Sequence, residues 1–581
     1  MASTTNRNGQ AISFDYDVLN RLIRKTRAPT STEVGPQVTT FNYNSVGNLV
    51  TVVDPDSTVN MAYDLANRLT STTASTPSVP AKTISYSYDP NGNRVTMTDP
   101  SAGITNYVYD SLNRLTSIRN PSAKTTSFTY DALGRRSSMT HGNGVVTTYS
   151  YDTASQLTRL AHQLGAATIN SFDYTYDRVG NRKSKVERNG TASYMYDTLN
   201  RLVQATNPLP VSPETYVYDA VGNRVDSNQN GASNFNQANQ LLEDASFTYQ
   251  YDANGNQIRK ASKTTGEITT YEYTAENQLV RVVKNGTVIN YRFDGLGRRV
   301  EKEVNDGATT KTTRFVYDAE DILLELDGSN NITARYTHGP GIDEPLIMEK
   351  GGASFFYHAD GLGSITEITN QAGTVAQSYT YSSFGKIESQ LDPNFVQPYT
   401  FTSREFDPET ELYHYRERTY DWRTGRFTTE DPLWFDGGIN FYSYVRNNPI
   451  VSTDPFGLQP TPEQLGVPPI TGVPAGLPGV PAGSPGQPSV GNPAAFLNMG
   501  IQAAAFSLMG QLSREIAEKV KQFEQNIDCR KSVTVKVCFS KTHPSGTVTV
   551  GLPPVLVDIT KTTCSDFPAI GRKQCCLLPP R

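Results

Sequence analysis

The chain has 581 residues, and its 52 Lys and Arg against 57 Asp and Glu give a net charge of −5. Proteins that bind nucleic acid through bulk electrostatics carry a positive excess, so that class is excluded for the whole molecule. Charged residues make up only 19%, whereas Gly (44) and Tyr (32) are abundant, which favours strands and turns and excludes a coiled coil.

The charge is divided unevenly along the chain. Residues 1–458 contain 41 basic and 50 acidic side chains, whereas residues 459–581 contain 11 basic and 7 acidic ones. This asymmetry predicts two parts with different functions. The N-terminal stretch MASTTNRNGQ lacks a basic segment followed by an apolar core, so no secretory signal is predicted. We therefore expect synthesis in the cytoplasm and export, to the medium or the cell surface, through a dedicated secretion machine.

An aromatic-x-Tyr-Asp motif recurs through the first part of the chain. Between Tyr88 and Tyr151 it returns every 21 residues. The copies read FDYDVLNRL, MAYDLANRL, YSYDPNGNRV, YVYDSLNRL, FTYDALGRR, YTYDRVGNR, YMYDTLNRL, YVYDAVGNRV, YQYDANGNQI, YRFDGLGRRV and the looser FVYDAEDILL. Such regular spacing indicates that one structural unit is repeated.

Each copy predicts a β-hairpin. Aromatic residues two apart lie on the same face of a strand, and the Asp that follows opens a tight turn. In the copy at residues 89–92, Pro fixes φ at the second position and Gly is fourth, which suits a type I turn. The β-branched run after the turn predicts the return strand. One hairpin cannot bury its aromatic face alone, so successive hairpins are predicted to form one long, curling antiparallel sheet.

These copies resemble the YD (RHS) repeats of bacterial RHS proteins, of toxin-complex C components and of the teneurin shell. The resemblance covers residues 14–458. It implies an all-β fold in which antiparallel hairpins spiral into a hollow shell. Residues 1–335 would form the repeat shell, and residues 336–458 would form the RHS core-associated region, which the run from GRF through NNP to DPFGL identifies.

The resemblance also implies a self-cleaving site of the aspartyl type. By motif, the general acid and base would be Asp431 in EDPLW and Asp454 in DPFGL, with Arg418 in RERTY as the accessory arginine. The bond cut would be Leu458–Gln459. Neither a cofactor nor a metal ion is implied for this site.

The chemistry of such a site is coherent. Peptide hydrolysis without a metal needs one carboxylate to take a proton from water and one carboxylic acid to polarise the carbonyl. Two close carboxyl groups share a proton, because both cannot ionise readily, and a nearby guanidinium can hold one of them charged. Asp454 lies four residues before the proposed cut, so folding alone would present the bond.

A structural role competes with the catalytic one at each of these positions. Asp-Pro is ordinary turn chemistry, and Arg418 also fits a structural ion pair. The aspartates of Asp-Pro steps are Asp54, Asp89, Asp99, Asp392, Asp407, Asp431 and Asp454. The sequence departs from the family at Glu411, where Gly is frequent, and at Trp422, where Pro is frequent. These departures bear on strand packing more than on chemistry.

The composition changes abruptly after the core-associated region. Ten prolines fall in residues 459–493, which predicts an extended or disordered linker. Residues 494–527 predict one helix with an apolar stripe. The stripe consists of Leu497, Ile501, Ala505, Leu508, Leu512, Ile516, Val520 and Phe523. An amphipathic helix that packs on a core or lines the shell is favoured over a membrane-active one, because Gly and amide side chains interrupt its uncharged half.

Residues 494–581 predict a small α+β tail with short β runs at 532–539 and 546–560. All five cysteines lie there, at Cys529, Cys538, Cys564, Cys575 and Cys576. A disulfide-stapled module fits cargo that leaves the cytosol, and a zinc site is the alternative, although no CxxC pair is present. His543 fits a surface loop better than a catalytic base.

Two functions follow from the sequence. In the first, the shell cuts itself and holds residues 459–581, a variable effector of the polymorphic-toxin kind, as its own cargo for another cell. Its partners would be a secretion-system or toxin-complex component that closes the shell and an immunity protein. In the second, the repeats present tyrosines on an outer surface to carbohydrate or a cell surface, without proteolysis. Neither function has the shell bind nucleic acid.

Overall fold

The computed structural model describes residues 2–208 and 213–458, together with the backbone of one short strand at 461–462 and of four strands in the tail. The chain divides into two compact units, residues 1–504 and 505–581. The predicted helix at 494–527, all five cysteines and Gln459 lie outside the described residues.

The first sheet contains 21 strands, β1 to β21, each of which pairs antiparallel with the next strand in the chain. In order they are Ala2–Thr5, Ala11–Tyr16, Leu22–Arg27, Gln37–Tyr43, Leu49–Val53, Thr58–Tyr63, Leu69–Thr76, Val79–Tyr88, Arg94–Thr98, Ile104–Tyr109, Leu115–Arg119, Thr125–Tyr130, Arg136–Thr140, Val145–Tyr151, Leu157–Leu164, Ala167–Tyr176, Arg182–Glu187, Gly190–Tyr196, Leu202–Thr206, Glu214–Tyr218 and Arg224–Ser227.

The second sheet contains 16 strands, β22 to β37, with the same up-and-down order. They are Asn234–Phe235, Leu241–Glu243, Phe247–Tyr251, Gln257–Ser262, Ile268–Tyr273, Leu279–Lys284, Thr287–Phe293, Arg299–Asn305, Thr310–Asp318, Asp321–Asp327, Ile332–His338, Pro345–Lys350, Ala353–Ala359, Ile365–Thr369, Val375–Tyr381 and Ile387–Gln390. The described residues contain no α-helix, so the all-β prediction is confirmed for them.

Smaller elements complete the first unit. A four-stranded sheet consists of β38 to β41, at Glu405–Asp407, Leu412–Tyr415, Arg418–Asp421 and Arg426–Phe427. Single 3-10 turns lie at Phe401–Ser403, Trp434–Asp436 and Val445–Asn447. Strand β42 (Ser452–Thr453) pairs antiparallel with β43 (Thr461–Pro462), and these two strands precede and follow the predicted cleavage site in the chain.

The tail contains four short strands, β44 to β47. They are Val533–Val537, Lys541–His543, Gly546–Val548 and Val555–Ile559. The first pairs with the last and the middle two pair with each other, all antiparallel. Strands β44, β46 and β47 lie within the two β runs that the sequence predicts.

The repeat motif encodes both the turn and its link to the next hairpin. The Asp64 carboxylate accepts the backbone N–H groups of Ala66 (2.8 Å) and Arg68 (2.9 Å), and the Nε of Arg68 (2.7 Å). Asn67 has φ of 61°, the left-handed conformation that closes a type I turn with a bulge. The Arg68 guanidinium then lies 4.8 Å from the ring of Tyr88 in the next hairpin.

In several copies the second tyrosine ties its hairpin to the preceding one. The hydroxyl of Tyr63 donates to the carbonyl of Leu49 (2.9 Å), and that of Tyr88 donates to the carbonyl of Leu69 (2.7 Å). None of the 32 tyrosines is exposed. The predicted outer surface of tyrosines is therefore wrong, because hydrogen bonding and burial hold these side chains inside the sheets.

The largest hydrophobic cluster contains residues of both large sheets, such as Leu49 and Val52 from the first and Leu326 and Ile347 from the second. All four are fully buried. The two sheets therefore share one core.

Candidate functional site

The three predicted site residues belong to the small sheet and the segments that follow it. Arg418 begins β40, Asp431 precedes the 3-10 turn at Trp434–Asp436, and Asp454 follows β42. All three are buried, with exposed fractions of 4%, 5% and 2%. Charged side chains are rarely buried to this extent unless they are paired, so these positions are unusual.

The Arg418 guanidinium lies between the two carboxyl groups. Its Nη2 is 2.9 Å from Oδ2 of Asp431 and 3.5 Å from Oδ2 of Asp454. Because both oxygens lie within 3.5 Å of one nitrogen, the structure brings the two acids together. The face of the guanidinium lies 3.6 Å from the ring centre of Phe427, which fixes its plane.

The other nitrogens of Arg418 hold two backbone carbonyl groups. Nη1 donates to the carbonyl of Phe441 (2.9 Å), and Nε donates to the carbonyl of Gly457. The same Phe441 carbonyl accepts the backbone N–H of Asp431 at 2.9 Å. One arginine therefore connects both acids to the peptide immediately before Leu458.

Asp454 contacts the residue at the predicted cut. Its Oδ1 accepts the backbone N–H of Leu458 at 2.8 Å, and its carbonyl accepts that of Gly457 at 3.1 Å. Gly457 has φ of +69°, and a Cβ there would meet the carbonyl oxygen of Tyr415. Only glycine fits this turn, which brings Leu458 back to Asp454.

Burial raises the pKa of Asp431 to about 6. The Arg418 guanidinium and the backbone N–H of Leu433, which Oδ1 accepts at 2.8 Å, oppose that rise, while the charge of Asp454 adds to it. Asp431 therefore holds a proton more readily than an exposed aspartate does. A raised pKa of this kind suits the member of an acid pair that acts as the acid.

A cavity of about 480 Å³ adjoins the site at Arg418 and Leu458. Arg418, Thr429, Leu433 and Leu458 line one part of its wall, and residues of both large sheets line the rest. A space of this size has room for several water molecules beside Arg418 and Leu458, whereas Asp431 and Asp454 do not line it.

Sequence reasoning missed the groups that hold Arg418 in place: the carbonyl groups of Phe441 and Gly457 and the ring of Phe427. Of these groups, only Gly457 could have been found from the sequence, because it is the glycine of the DPFGL motif. The frequency of Gly at position 411 has a structural reason: Glu411 has φ of 63°, a backbone conformation in which Gly is less strained. Trp422 packs against the aromatic cluster of the small sheet.

Among the residues described, no group of three or more His, Cys, Asp or Glu side chains is arranged to hold a metal ion. No helix in this part of the chain is long and apolar enough to cross a membrane.

The family model Teneurin YD-shell matches residues 1–190 and 178–450. Among curated relatives, the chain is 32% identical over 280 residues to tRNA nuclease WapA of Bacillus subtilis (45% of this chain, 12% of that protein). It is 27% identical to double-stranded DNA deaminase toxin A of Burkholderia cenocepacia (49% and 22%) and 26% identical to toxin protein Tse5 of Pseudomonas aeruginosa (49% and 27%).

The crystal structure of TcdB2-TccC3 matches with a TM-score of 0.67 at 20% identity, over 78% of this chain and 27% of that one. This likeness confirms the predicted fold class, a shell of antiparallel hairpin repeats. The chain spans between 12% and 27% of the length of these four proteins.

Proposed function

Because the chain belongs to the teneurin YD-shell family, we propose that its body is a toxin-delivery shell that cuts its own chain at Leu458–Gln459. The residues after the cut, 459–581, would remain with the shell as a toxin for another cell. The observation that carries this proposal is Arg418, which bridges two buried acids while one of them, Asp454, binds the N–H of Leu458.

In the proposed mechanism, the carboxylate of Asp454 takes a proton from water, and the resulting hydroxide attacks the carbonyl carbon of Leu458. Asp431, whose pKa is raised to about 6, acts as the acid that polarises this carbonyl. The C–N bond then breaks, and the nitrogen of Gln459 takes up the proton that Asp454 removed from water, which returns the pair to its starting state. Arg418 balances the charge of the pair and holds the Gly457 carbonyl, so the substrate is positioned by folding alone.

The experiment is the intact mass of the purified chain. Wild type should yield fragments 1–458 and 459–581, whereas Asp431→Asn and Asp454→Asn should each remain one chain of 63.8 kDa. Asp392→Asn is the matched control, because it changes another Asp-Pro aspartate in a turn away from the site. A wild-type chain that remains whole would overturn the proposal.

The toxin assignment comes from the relatives, two of which carry the word toxin in their names and one the word nuclease. For this chain it is a proposal, and so are a partner that completes the shell and an immunity protein for the producing cell. Residues 459–581 expressed alone in bacteria should slow growth, whereas the uncleaved Asp431→Asn chain should not. Equal growth in both strains would contradict the assignment.

A further inference from the structure

We propose that the first hairpin of the chain positions Asp431 through Arg7, so that self-cleavage proceeds only when this hairpin is docked on the second sheet. The inference rests on the proposed self-cleavage and adds a positioning residue that lies 424 positions from Asp431 in the chain. It follows from contacts at three places in the structure.

The turn between β1 and β2 docks on the second sheet. Asn8 donates its side-chain amide to Asp252 (2.8 Å) and its backbone N–H to the side chain of Asn254 (3.1 Å), and it accepts the backbone N–H of Ala253 (2.9 Å). Asn6 donates to the carbonyl of Ala275 at 3.1 Å. The first hairpin, itself an edge of the first sheet, is therefore hydrogen-bonded to two turns of the second.

Arg7 reaches beyond these turns to the segment that carries Asp431. Its Nη2 donates to the carbonyl of Asn254 and lies 2.5 Å from Oε2 of Glu430. Its guanidinium is also 5.7 Å from the ring of Trp434. Glu430 immediately precedes Asp431, and Trp434 follows it by three residues, so Arg7 contacts the segment on both sides of the acid.

The Glu430 carboxylate is nearly buried, with 8% of its side chain exposed, whereas 34% of Arg7 is exposed. It packs closely against Gly255, whose carbonyl accepts the hydroxyl of Tyr442 at 2.8 Å. Loss of one cationic partner makes burial of such a carboxylate less favourable and shifts it toward water. Loss of Arg7 would therefore move the backbone at residues 430–431 and change the distance from Asp431 to Arg418.

A shift of this kind affects the rate more than the fold. The acids must lie within hydrogen-bond reach of the groups they serve, and a displacement of about 1 Å lowers a rate about 100-fold. The hairpin itself retains the hydrogen bonds of Asn6 and Asn8 when Arg7 is replaced. The inferred role of Arg7 is thus separable from the attachment of the hairpin.

The test is the rate of cleavage of the full chain, followed by pulse-labelling in a cell-free translation system. Arg7→Ala and Glu430→Gln should each slow cleavage at least tenfold, and the double variant should be no slower than the slower single one, because the two residues act as a pair. Arg7→Lys should restore most of the rate. Arg21→Ala is the matched control, since it removes an ion pair of similar exposure in the next hairpin.

Stability is measured separately in the uncleavable Asp431→Asn background, where Arg7→Ala and Arg21→Ala should lower the thermal midpoint equally. Three outcomes would each overturn the inference. Arg7→Ala could be cut at the wild-type rate, Arg21→Ala could slow cleavage as much as Arg7→Ala does, or the effects of Arg7→Ala and Glu430→Gln could be additive. A wild-type chain that is not cut would overturn the proposed function instead, whatever the Arg7 variants do.

Discussion

Arg418 is the residue on which the site is centred. It uses all three nitrogens at once, on the carbonyl groups of Gly457 and Phe441 and on the carboxyl groups of Asp431 and Asp454. Such a set of contacts needs a planar fork of donors, which a lysine ammonium does not provide. The geometry of the pair therefore depends on guanidinium shape as well as on charge.

Arg418→Lys keeps the charge and removes the fork. We expect the cleavage rate to fall about 100-fold, because the lysine ammonium cannot hold Gly457 and both acids together. Pulse-labelling measures the rate. Arg159→Lys is the control, since Arg159 and Asp173 form an exposed ion pair between two neighbouring strands. A rate for Arg418→Lys within a few fold of wild type would show that charge alone suffices.

At the scale of one hairpin, the repeat motif supplies its own stabilising contacts. Asp110 accepts the backbone N–H groups of Leu112 (2.9 Å) and Arg114 (3.0 Å) and the Nε of Arg114 (2.7 Å), as Asp64 does in its own turn. Arg114 in turn lies 4.7 Å from the ring of Tyr130 in the next hairpin. One aspartate therefore stabilises the turn and also holds the arginine that contacts the next hairpin.

Asp110→Ala should lower the free energy of unfolding by about 1–3 kcal/mol, because two turn N–H groups and one guanidinium lose their acceptor. The measurement is urea unfolding in the Asp431→Asn background, which keeps the chain whole. Asp226→Ala, at an exposed position in β21, should change the unfolding midpoint little. Equal effects of the two substitutions would contradict the role given to the turn.

At the scale of the molecule, three buried histidines join the two large sheets. The ring of His358 in the second sheet lies 5.2 Å from that of His141 and 5.1 Å from that of His162, both in the first. The Nε2 atoms of His141 and His162 lie 3.2 and 3.1 Å from the carbonyl oxygens of Tyr357 and Ala359. These contacts cross from one sheet to the other.

Burial lowers the pKa of His141 to about 4 and that of His162 to about 3, so the folded protein holds both neutral. Unfolded histidine titrates near 6.5, so their contribution to stability is complete above about pH 6.5 and is lost as pH falls toward 4 and 3. For His162 this loss is about 2–3 kcal/mol between pH 6.5 and 4.5.

His162→Gln should therefore weaken the acid sensitivity of the uncleavable Asp431→Asn chain. The measurement is the free energy of urea unfolding at pH 7 and at pH 4.5, for the Asp431→Asn chain with and without His162→Gln. The contribution of His162 is the difference between the two chains in how much this free energy falls from pH 7 to pH 4.5. Identical slopes would contradict the prediction. The carboxylate contributions to acid unfolding are common to both chains and cancel in this comparison.

The sequence by itself determined the parts of this protein that depend on neighbours in the chain. Asp and Asn three residues apart in DSLNR encode the turn, and aromatic residues two apart encode the buried face, because these contacts lie within one hairpin. The motifs around Arg418, Asp431 and Asp454 likewise predicted the residues that the structure brings together. Their catalytic role stays a prediction.

Only the tertiary structure decided which carbonyl groups Arg418 holds, that Arg7 contacts Glu430, and that His358 meets His141 and His162. Each of these contacts joins residues that lie far apart in the chain, and several cross from one large sheet to the other. Which of these residues meet depends on the twist that accumulates over many hairpins. Local sequence patterns do not predict this twist, because each hairpin is compatible with several small rotations against the next.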